Sequence, residues 1–212
     1  MSTALKICGI RRPEDVQYLN EFPPDFAGFI CSKPYWRYVA PADFKELADL
    51  MRGRIRRVGV FVNPTLEEIA AYAPRLDVIQ LHGEESGDFI QSIRAYFPYE
   101  LEIWKAARVQ TPEDIAAADA LPADRLVLDS FSAQSEGGTG TVAPWDIIAK
   151  NRPSKPFLLA GGISAENVRQ AIAEVQPWGV DASSSLETDR CKDRLKIRAL
   201  VETVKGGASH GI

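Results

Sequence analysis

Short apolar runs alternate along this chain with segments that carry helix-start signals. Each run has four to six residues, nearly all apolar, which is typical of a parallel strand buried on both faces. The runs are Leu5–Cys8, Phe26–Cys31, Arg57–Val62, Asp77–Leu81, Leu101–Ala106, Arg125–Asp129, Pro156–Ala160 and Gly179–Ser183. Eight such strands within 212 residues constrain the fold more than any other feature of the chain.

The segments between the runs predict helices. Proline and acidic residues mark helix starts at Arg12-Pro13-Glu14-Asp15 and Thr111-Pro112-Glu113-Asp114. The other predicted helices are Ala42–Met51, one after Asn63-Pro64-Thr65, Asp88–Tyr96, Pro144–Lys150, Ser164–Glu174 and a last one ending near Val204. Regular alternation of strand and helix predicts an α/β protein with one parallel sheet covered by helices.

Two architectures fit this pattern, an open doubly wound sheet and a closed barrel. The first turn, Cys8-Gly9-Ile10-Arg11, lacks the glycine fingerprint of a dinucleotide-binding sheet, and the number of βα units is eight. We therefore predict a single compact (β/α)8 TIM barrel over residues 1–205, followed by a flexible tail at 206–212.

Charge and cysteine content exclude several classes of function. Twenty-five Lys and Arg against 29 Asp and Glu give a net charge of −4, spread too evenly for a nucleic-acid surface. No apolar stretch approaches the roughly 20 residues that span a bilayer, and strand-like sequence starts too early for a signal peptide. Three widely spaced cysteines predict neither a disulfide framework nor a metal site. We expect a cytoplasmic protein.

Cys8 and Asp129 end the first and sixth runs, at the rim where parallel α/β proteins place their chemistry. Strand alternation puts Lys6 and Cys8 on the barrel interior. We expect the nearby ammonium to lower the pKa of the Cys8 thiol. The alternatives are a small buried hydrophobe for Cys8 and a helix N-cap for Asp129. A glycine-rich loop, 130–140, follows Asp129 and offers backbone N–H groups to a ligand.

Glycines and hydroxyls follow the last two strands. They are Gly161 and Gly162 after the seventh run, and Ser183 and Ser184 after the eighth. Barrel enzymes bind phosphate between these two loops, with a helix N-terminus adding its dipole. The sequence therefore predicts a phosphate site.

Three further side chains are candidates with open alternatives. Arg37, beside two aromatic residues, is either a carboxylate ligand or a solvated cation. His82 either contacts the ligand itself or donates a hydrogen bond to a residue that does. Lys105 is either a Schiff-base nucleophile or an ion-pair partner, and the second is favoured.

These motifs together resemble the phosphoribosylanthranilate isomerase family of tryptophan biosynthesis. The resemblance is carried, in order, by Lys6-Ile7-Cys8-Gly9-Ile10, Gly28-Phe29-Ile30 with Arg37-Tyr38-Val39, Val58-Gly59-Val60-Phe61-Val62-Asn63, Gln80-Leu81-His82-Gly83-Glu84, Leu128-Asp129-Ser130 with Gly137-Gly138-Thr139-Gly140, Leu159-Ala160-Gly161-Gly162-Ile163 and Gly179-Val180-Asp181. Three positions depart from the family pattern: Pro34-Tyr35-Trp36 precedes the arginine, Ser185 replaces a glycine, and Thr141 replaces a lysine.

The resemblance implies a cofactor-free Amadori rearrangement of N-(5-phosphoribosyl)anthranilate, a small-molecule substrate. It makes Asp129 the general acid and Cys8 the general base. It also implies three kinds of ligand contact: Arg37 on the carboxylate, Asp181 on a ribose hydroxyl (or orienting its neighbours), and Gly161, Gly162, Ser183 and Ser184 on the phosphate. The competing readings are a Schiff-base phosphosugar aldolase or lyase using Lys105, and a barrel that binds a phosphosugar without turnover. We expect a monomer or a weak homo-oligomer.

Overall fold

Eight parallel strands close into one barrel in chain order, with β1 pairing both β2 and β8. The computed structural model describes residues 3–98, 100–129 and 145–206. The strands are β1 Ala4–Cys8, β2 Phe26–Ile30, β3 Arg56–Phe61, β4 Val78–Leu81, β5 Glu102–Arg108, β6 Arg125–Asp129, β7 Phe157–Ala160 and β8 Gly179–Ala182. The predicted (β/α)8 barrel is confirmed.

A helix follows each strand of the barrel. The helices are α1 Pro13–Glu21, α2 Pro41–Leu50, α3 Leu66–Ala70, α4 Gly87–Tyr96, α5 Pro112–Asp119, α6 Trp145–Lys150, α7 Val168–Val175 and α8 Arg194–Lys205. The predicted start signal at Thr65 acts as a cap, because Thr65 exchanges hydrogen bonds with Glu68 at the start of α3. Asp193, which the sequence pattern did not indicate, accepts two backbone N–H groups of α8. None of these helices, within the described ranges, is long and apolar enough to cross a membrane.

Alternate residues of each strand face either the helices or the barrel interior, and this divides the core in two. The larger part lies between the sheet and the helices. The smaller part fills the barrel and includes Val58, Val78, Val127 and Leu158. The rings of Phe26, Trp104 and Trp178 close the amino-terminal end, with centroids 4.9 to 6.2 Å apart. Polar interior residues therefore gather at the other end.

The chain after β8 contains a small element that the sequence pattern did not predict. A 3₁₀ turn, Ser184–Leu186, leads into a two-stranded antiparallel hairpin of β9 Glu187–Thr188 and β10 Cys191–Lys192. Two-residue strands are too short to show a periodicity, so only their pairing reveals them. The predicted ligand loop at 130–140 lies outside the described residues, as does the tail from 207 onward.

Candidate active site

Cys8 lies at the carboxyl end of β1 and faces the barrel interior. Leu5 and Ile7 pack under the helices, whereas Lys6 and Cys8 point inward, so the predicted alternation is confirmed. Lys6 is fully buried, and its Nζ donates to Oδ2 of Asp181 at 2.6 Å. An ion pair inside the barrel therefore stands directly beneath the thiol.

The electrostatic environment of Cys8 differs from the prediction. Burial raises the pKa of the thiol above its ordinary value, and the ammonium of Lys6 opposes this shift without cancelling it. The expected influence of Lys6 is present, but the net shift of the Cys8 pKa is upward, because desolvation outweighs a cation whose charge Asp181 already balances. Burial alone would lower the pKa of Lys6, but Asp181 and Cys8 together raise it. Lys6 therefore remains an ammonium inside the barrel.

Asp129 ends β6 with the inward orientation of Val127, while Leu126 and Leu128 face the helices. The residue is half-buried, so its carboxyl group is reachable from the mouth of the barrel. His82 follows β4 at the same end. Partial desolvation lowers the pKa of His82, and the carboxylate of Asp129 opposes that shift. Asp129 and His82 therefore interact across the mouth, although their strands are not adjacent.

Two buried oxygens in the interior lack a hydrogen-bond partner among the described residues, Oε1 of Gln80 and Oδ1 of Asp181. Both side chains are at least nine-tenths buried. Buried polar atoms are ordinarily bonded, so these two acceptors suit the hydroxyl groups of a ligand. Asp181 was predicted from the family resemblance, but Gln80 was not. A glutamine at an inward position of the otherwise apolar strand Val78–Leu81 was the available signal.

The loop after β7 has a backbone conformation that depends on two glycines. Gly161 and Gly162 have φ values of 94° and 68°, which glycine adopts without steric cost, and a side chain at position 162 would meet only open space. The hydroxyl of Ser185 donates to the carbonyl of Ile163. This bond joins the loop after β7 to the loop after β8.

Ser183 and Ser184 are the other two residues of the predicted phosphate site. The Ser183 hydroxyl donates to the carbonyl of Cys8 at 3.1 Å, which links this loop to the end of β1. The expected helix dipoles are misplaced, because α7 begins only at Val168, where the preceding turn is held by Asn167, and α8 begins after the hairpin.

Arg37 lies at the mouth but is not an isolated cation. Its Nε and Nη2 donate to the two carboxylate oxygens of Glu187, at 2.9 and 2.7 Å. The indole of Trp36 lies 4.1 Å from the centre of the guanidinium. Tyr35 and Trp36, two residues of the unusual loop sequence, are about half exposed. The loop departure therefore places an aromatic ring against the arginine.

Lys105 faces away from the barrel interior. It has the same orientation as Ile103, and its Nζ donates to the carbonyls of Gly83 and Ala106 and to Oε2 of Glu85 at 2.6 to 3.1 Å. An ammonium with three acceptors outside the barrel is placed as an ion-pair partner rather than as a nucleophile.

Within the described ranges, no cluster of His, Cys, Asp and Glu is arranged to hold a metal ion.

Comparison with known protein families shows which family this barrel belongs to. A model of the family described as N-(5'phosphoribosyl)anthranilate (PRA) isomerase matches residues 5–203. The chain belongs to the phosphoribosylanthranilate isomerase family. The resemblance that the motifs indicated is thereby confirmed over nearly the whole chain.

Relatives of this phosphoribosylanthranilate isomerase family member match it end to end. The N-(5'-phosphoribosyl)anthranilate isomerase of Acetivibrio thermocellus is 37% identical over 211 residues, covering 96% of both chains. A crystal structure of the Thermotoga maritima enzyme superposes with a TM-score of 0.85 at 32% identity, covering 96% of this chain and 99% of that one. Another isomerase structure, with reduced 1-(o-carboxyphenylamino)-1-deoxyribulose 5-phosphate bound, has a TM-score of 0.82 at 31% identity and the same coverage.

Proposed function

We propose that this chain converts N-(5-phosphoribosyl)anthranilate into 1-(2-carboxyphenylamino)-1-deoxyribulose 5-phosphate in tryptophan biosynthesis. The observation that carries the proposal is membership of the isomerase family across residues 5–203, in a barrel whose mouth contains Cys8 and Asp129. The reaction is an internal redox rearrangement of one molecule, in which an aminoaldose becomes an aminoketose. It requires an acid and a base but no external electron acceptor.

Asp129 acts as the general acid in this proposal. Its proton goes to the ring oxygen of the ribofuranose, the bond between that oxygen and C1 breaks, and a Schiff base forms between C1 and the anthranilate nitrogen. The half-buried position of Asp129 at the end of β6 supports this role, because the carboxyl group can reach a ligand in the mouth. The electrostatic influence of Asp129 on the pKa of His82 also supports a position of both groups at the mouth.

Cys8 acts as the general base. Its thiolate removes the proton from C2, the electron pair of that bond forms the C1=C2 double bond, and the electrons of the C1=N bond move onto the nitrogen. The resulting enolamine becomes the ketone when C1 gains a proton and the C2 hydroxyl loses its own. The burial that raises the pKa of Cys8 makes thiolate scarce near neutrality. Lys6 supports the role because its fixed ammonium stabilises the thiolate at the moment it forms.

The ends of the substrate are held by the remaining candidates. Gly161 and Gly162, with Ser183 and Ser184, bind the phosphate; the bond that joins their loops supports this assignment. Arg37 binds the anthranilate carboxylate. The two unpartnered acceptors, on Gln80 and Asp181, and the ring of His82 bind ribose hydroxyls.

The proposal is tested by following the decay of phosphoribosylanthranilate fluorescence with the purified wild-type chain, Asp129→Asn and Cys8→Ser. We expect decay with the wild type and a loss of about a hundredfold or more in either variant, the usual contribution of a general acid or base. Asp43→Asn, an equivalent change at an exposed position of α2, should keep full activity. A wild-type chain that leaves the fluorescence unchanged contradicts the proposal.

We also propose a reducing cytoplasm as the working compartment, because a thiol base is lost on oxidation. A monomer or a weak homo-oligomer stays our expectation for the quaternary state. Sedimentation equilibrium across a hundredfold range of protein concentration tests it: one constant mass near 23.4 kDa indicates a monomer.

A further inference from the structure

Two charged residues that the proposed chemistry does not use surround Arg37. Glu187 accepts both hydrogen bonds from the guanidinium, and Lys192 Nζ donates to Oε1 of the same carboxylate at 2.9 Å. The Glu187 side chain is 9% exposed and that of Lys192 is 1% exposed. Removing two charged side chains from water is costly, and their ion pairs offset that cost only in a well-defined geometry. Glu187 and Lys192 are therefore fixed in position relative to Arg37.

The Glu187 bond occupies only part of the guanidinium. One edge, Nε with Nη2, faces Glu187, and the ring of Trp36 lies against the planar face. On the second edge, Nη1 and the remaining hydrogen of Nη2 have no acceptor among the described residues, and the Arg37 side chain is 22% exposed. This edge matches the two oxygens of a carboxylate.

Charge balance explains why a lysine completes the group. Arg37 and Glu187 alone form a neutral pair, which would attract a ligand carboxylate only weakly. Lys192 makes the set of three groups carry one net positive charge. A single carboxylate on the ligand neutralises that charge.

The same lysine connects this group to the rest of the mouth. Lys192 Nζ also donates to the carbonyl of Ser183 at 2.9 Å, and the Ser183 hydroxyl donates to the carbonyl of Cys8. The stem of Arg37 lies over Gly9, where a Cβ would come within 2.8 Å of Cδ of Arg37. Both Lys192, through Ser183, and Arg37, through Gly9, are therefore connected to the end of β1.

We propose that Glu187 and Lys192 are positioning residues that hold the open edge of Arg37 toward the carboxylate of the substrate. The inference rests on the proposed function, since it takes Arg37 as the carboxylate ligand. The hairpin of β9 and β10 then serves as a specificity element: it selects a ligand with a carboxylate on the aromatic ring and sets its distance from the phosphate loop.

Calorimetric titration with two probes tests the inference. The probes are reduced 1-(o-carboxyphenylamino)-1-deoxyribulose 5-phosphate and the same compound without the carboxyl group. We expect the wild type to bind the carboxylated probe at least tenfold more tightly. In Lys192→Met this preference should fall about tenfold. In Glu187→Gln it should also fall about tenfold, because the guanidinium gains net charge but loses the two bonds that orient it, and the positioning role makes the second effect the larger. The Kd of the probe without the carboxyl group should change less than twofold in both variants. Glu202→Gln, which removes an exposed ion-pair partner on α8, should keep the wild-type preference.

Steady-state kinetics provide a second measurement on the same variants. A positioning role predicts a higher KM with little change in kcat, and partial recovery in Glu187→Asp, which keeps the charge. An unchanged preference in folded Glu187→Gln overturns the inference, and so does equal weakening of both probes. If the wild type turns over the substrate but shows no preference between the probes, the carboxylate role of Arg37 is also wrong. Absence of turnover contradicts the proposed function itself.

Discussion

Gly28 faces Cys8 across the β1–β2 pair so closely that a Cβ on residue 28 would lie 2.8 Å from Sγ. The same Cβ would lie 3.1 Å from Cε of Lys6. The space for the thiol and its cation therefore exists only because residue 28 has no side chain. The position of Cys8 therefore depends on Gly28 of β2 as much as on β1 itself.

Gly28→Ala should therefore lower kcat by at least tenfold, because Cys8 and Lys6 must move to admit the methyl group. Overpacking of this kind costs about 1–3 kcal/mol in stability. Gly59→Ala is the matched control, since its Cβ would crowd Leu76 and Phe61 at 2.7 Å on another strand. Kinetics and urea unfolding of both variants separate the two effects: equal kcat values would show that the thiol does not need this space.

Replacing Lys6 tests the electrostatic role of the buried ammonium. Lys6 opposes the rise in the pKa of Cys8, so Lys6→Met should raise that pKa further and leave less thiolate at any given pH. The rising limb of kcat/KM should then move to higher pH. The rate of iodoacetamide alkylation against pH, measured in a Cys191→Ser background, reports the same titration.

The control for this experiment is Lys45→Met, on the exposed face of α2. Removing one partner of a buried ion pair costs about 3–5 kcal/mol, so unfolding should be checked first, and Asp181→Asn in the same chain should restore part of the stability. An alkylation profile that stays at the wild-type pH would contradict an electrostatic link between Lys6 and Cys8.

Ser185 marks a departure from the family pattern, and the structure indicates its consequence. Its hydroxyl joins the loops after β7 and β8 through the carbonyl of Ile163. A hydrogen bond of this kind contributes about 1 kcal/mol, so Ser185→Ala should raise KM about fivefold with kcat nearly unchanged. Ser92→Ala removes a similar bond on α4 and should leave KM unaltered. Equal KM values in the two variants would show that the loops hold together without this bond.

Trp104 belongs to the opposite end of the barrel and should influence stability alone. Its side chain is fully buried and packs against Phe26 and Trp178. Trp104→Ala should cost about 3–5 kcal/mol in the free energy of unfolding while kcat of the folded fraction remains close to wild type. Chemical unfolding with kinetics at low temperature checks this. A large loss of kcat would mean that packing at the closed end determines the geometry of the mouth.

Most of the correct predictions from the sequence depended on the alternation of side chains along each strand. The inward orientation of Cys8 follows from a five-residue strand in which apolar residues alternate with Lys6 and the thiol. The pKa of Cys8 could not be predicted in the same way. It depends on how completely the barrel excludes water and on Asp181, which lies 173 positions further along the chain.

The hairpin of β9 and β10 shows most clearly what local sequence patterns cannot predict. Glu187 and Lys192 lie in a segment without a strand or helix pattern, and their partner Arg37 is 150 positions away from Glu187. Gln80 was visible in the sequence as a polar residue in an apolar strand, but nothing local shows that its Oε1 lacks a partner.

The sequence by itself determined the eightfold alternation of strand and helix, the family, and the strand ends that carry Cys8 and Asp129, because these depend on periodicity and on motifs of neighbouring residues. Only the tertiary structure decided which groups meet at the mouth. It pairs Lys6 with Asp181, turns Lys105 to the outside and attaches Arg37 to Glu187. The physical reason is that ion pairing and desolvation act between residues far apart in the chain, and the closed barrel brings them within 3 Å.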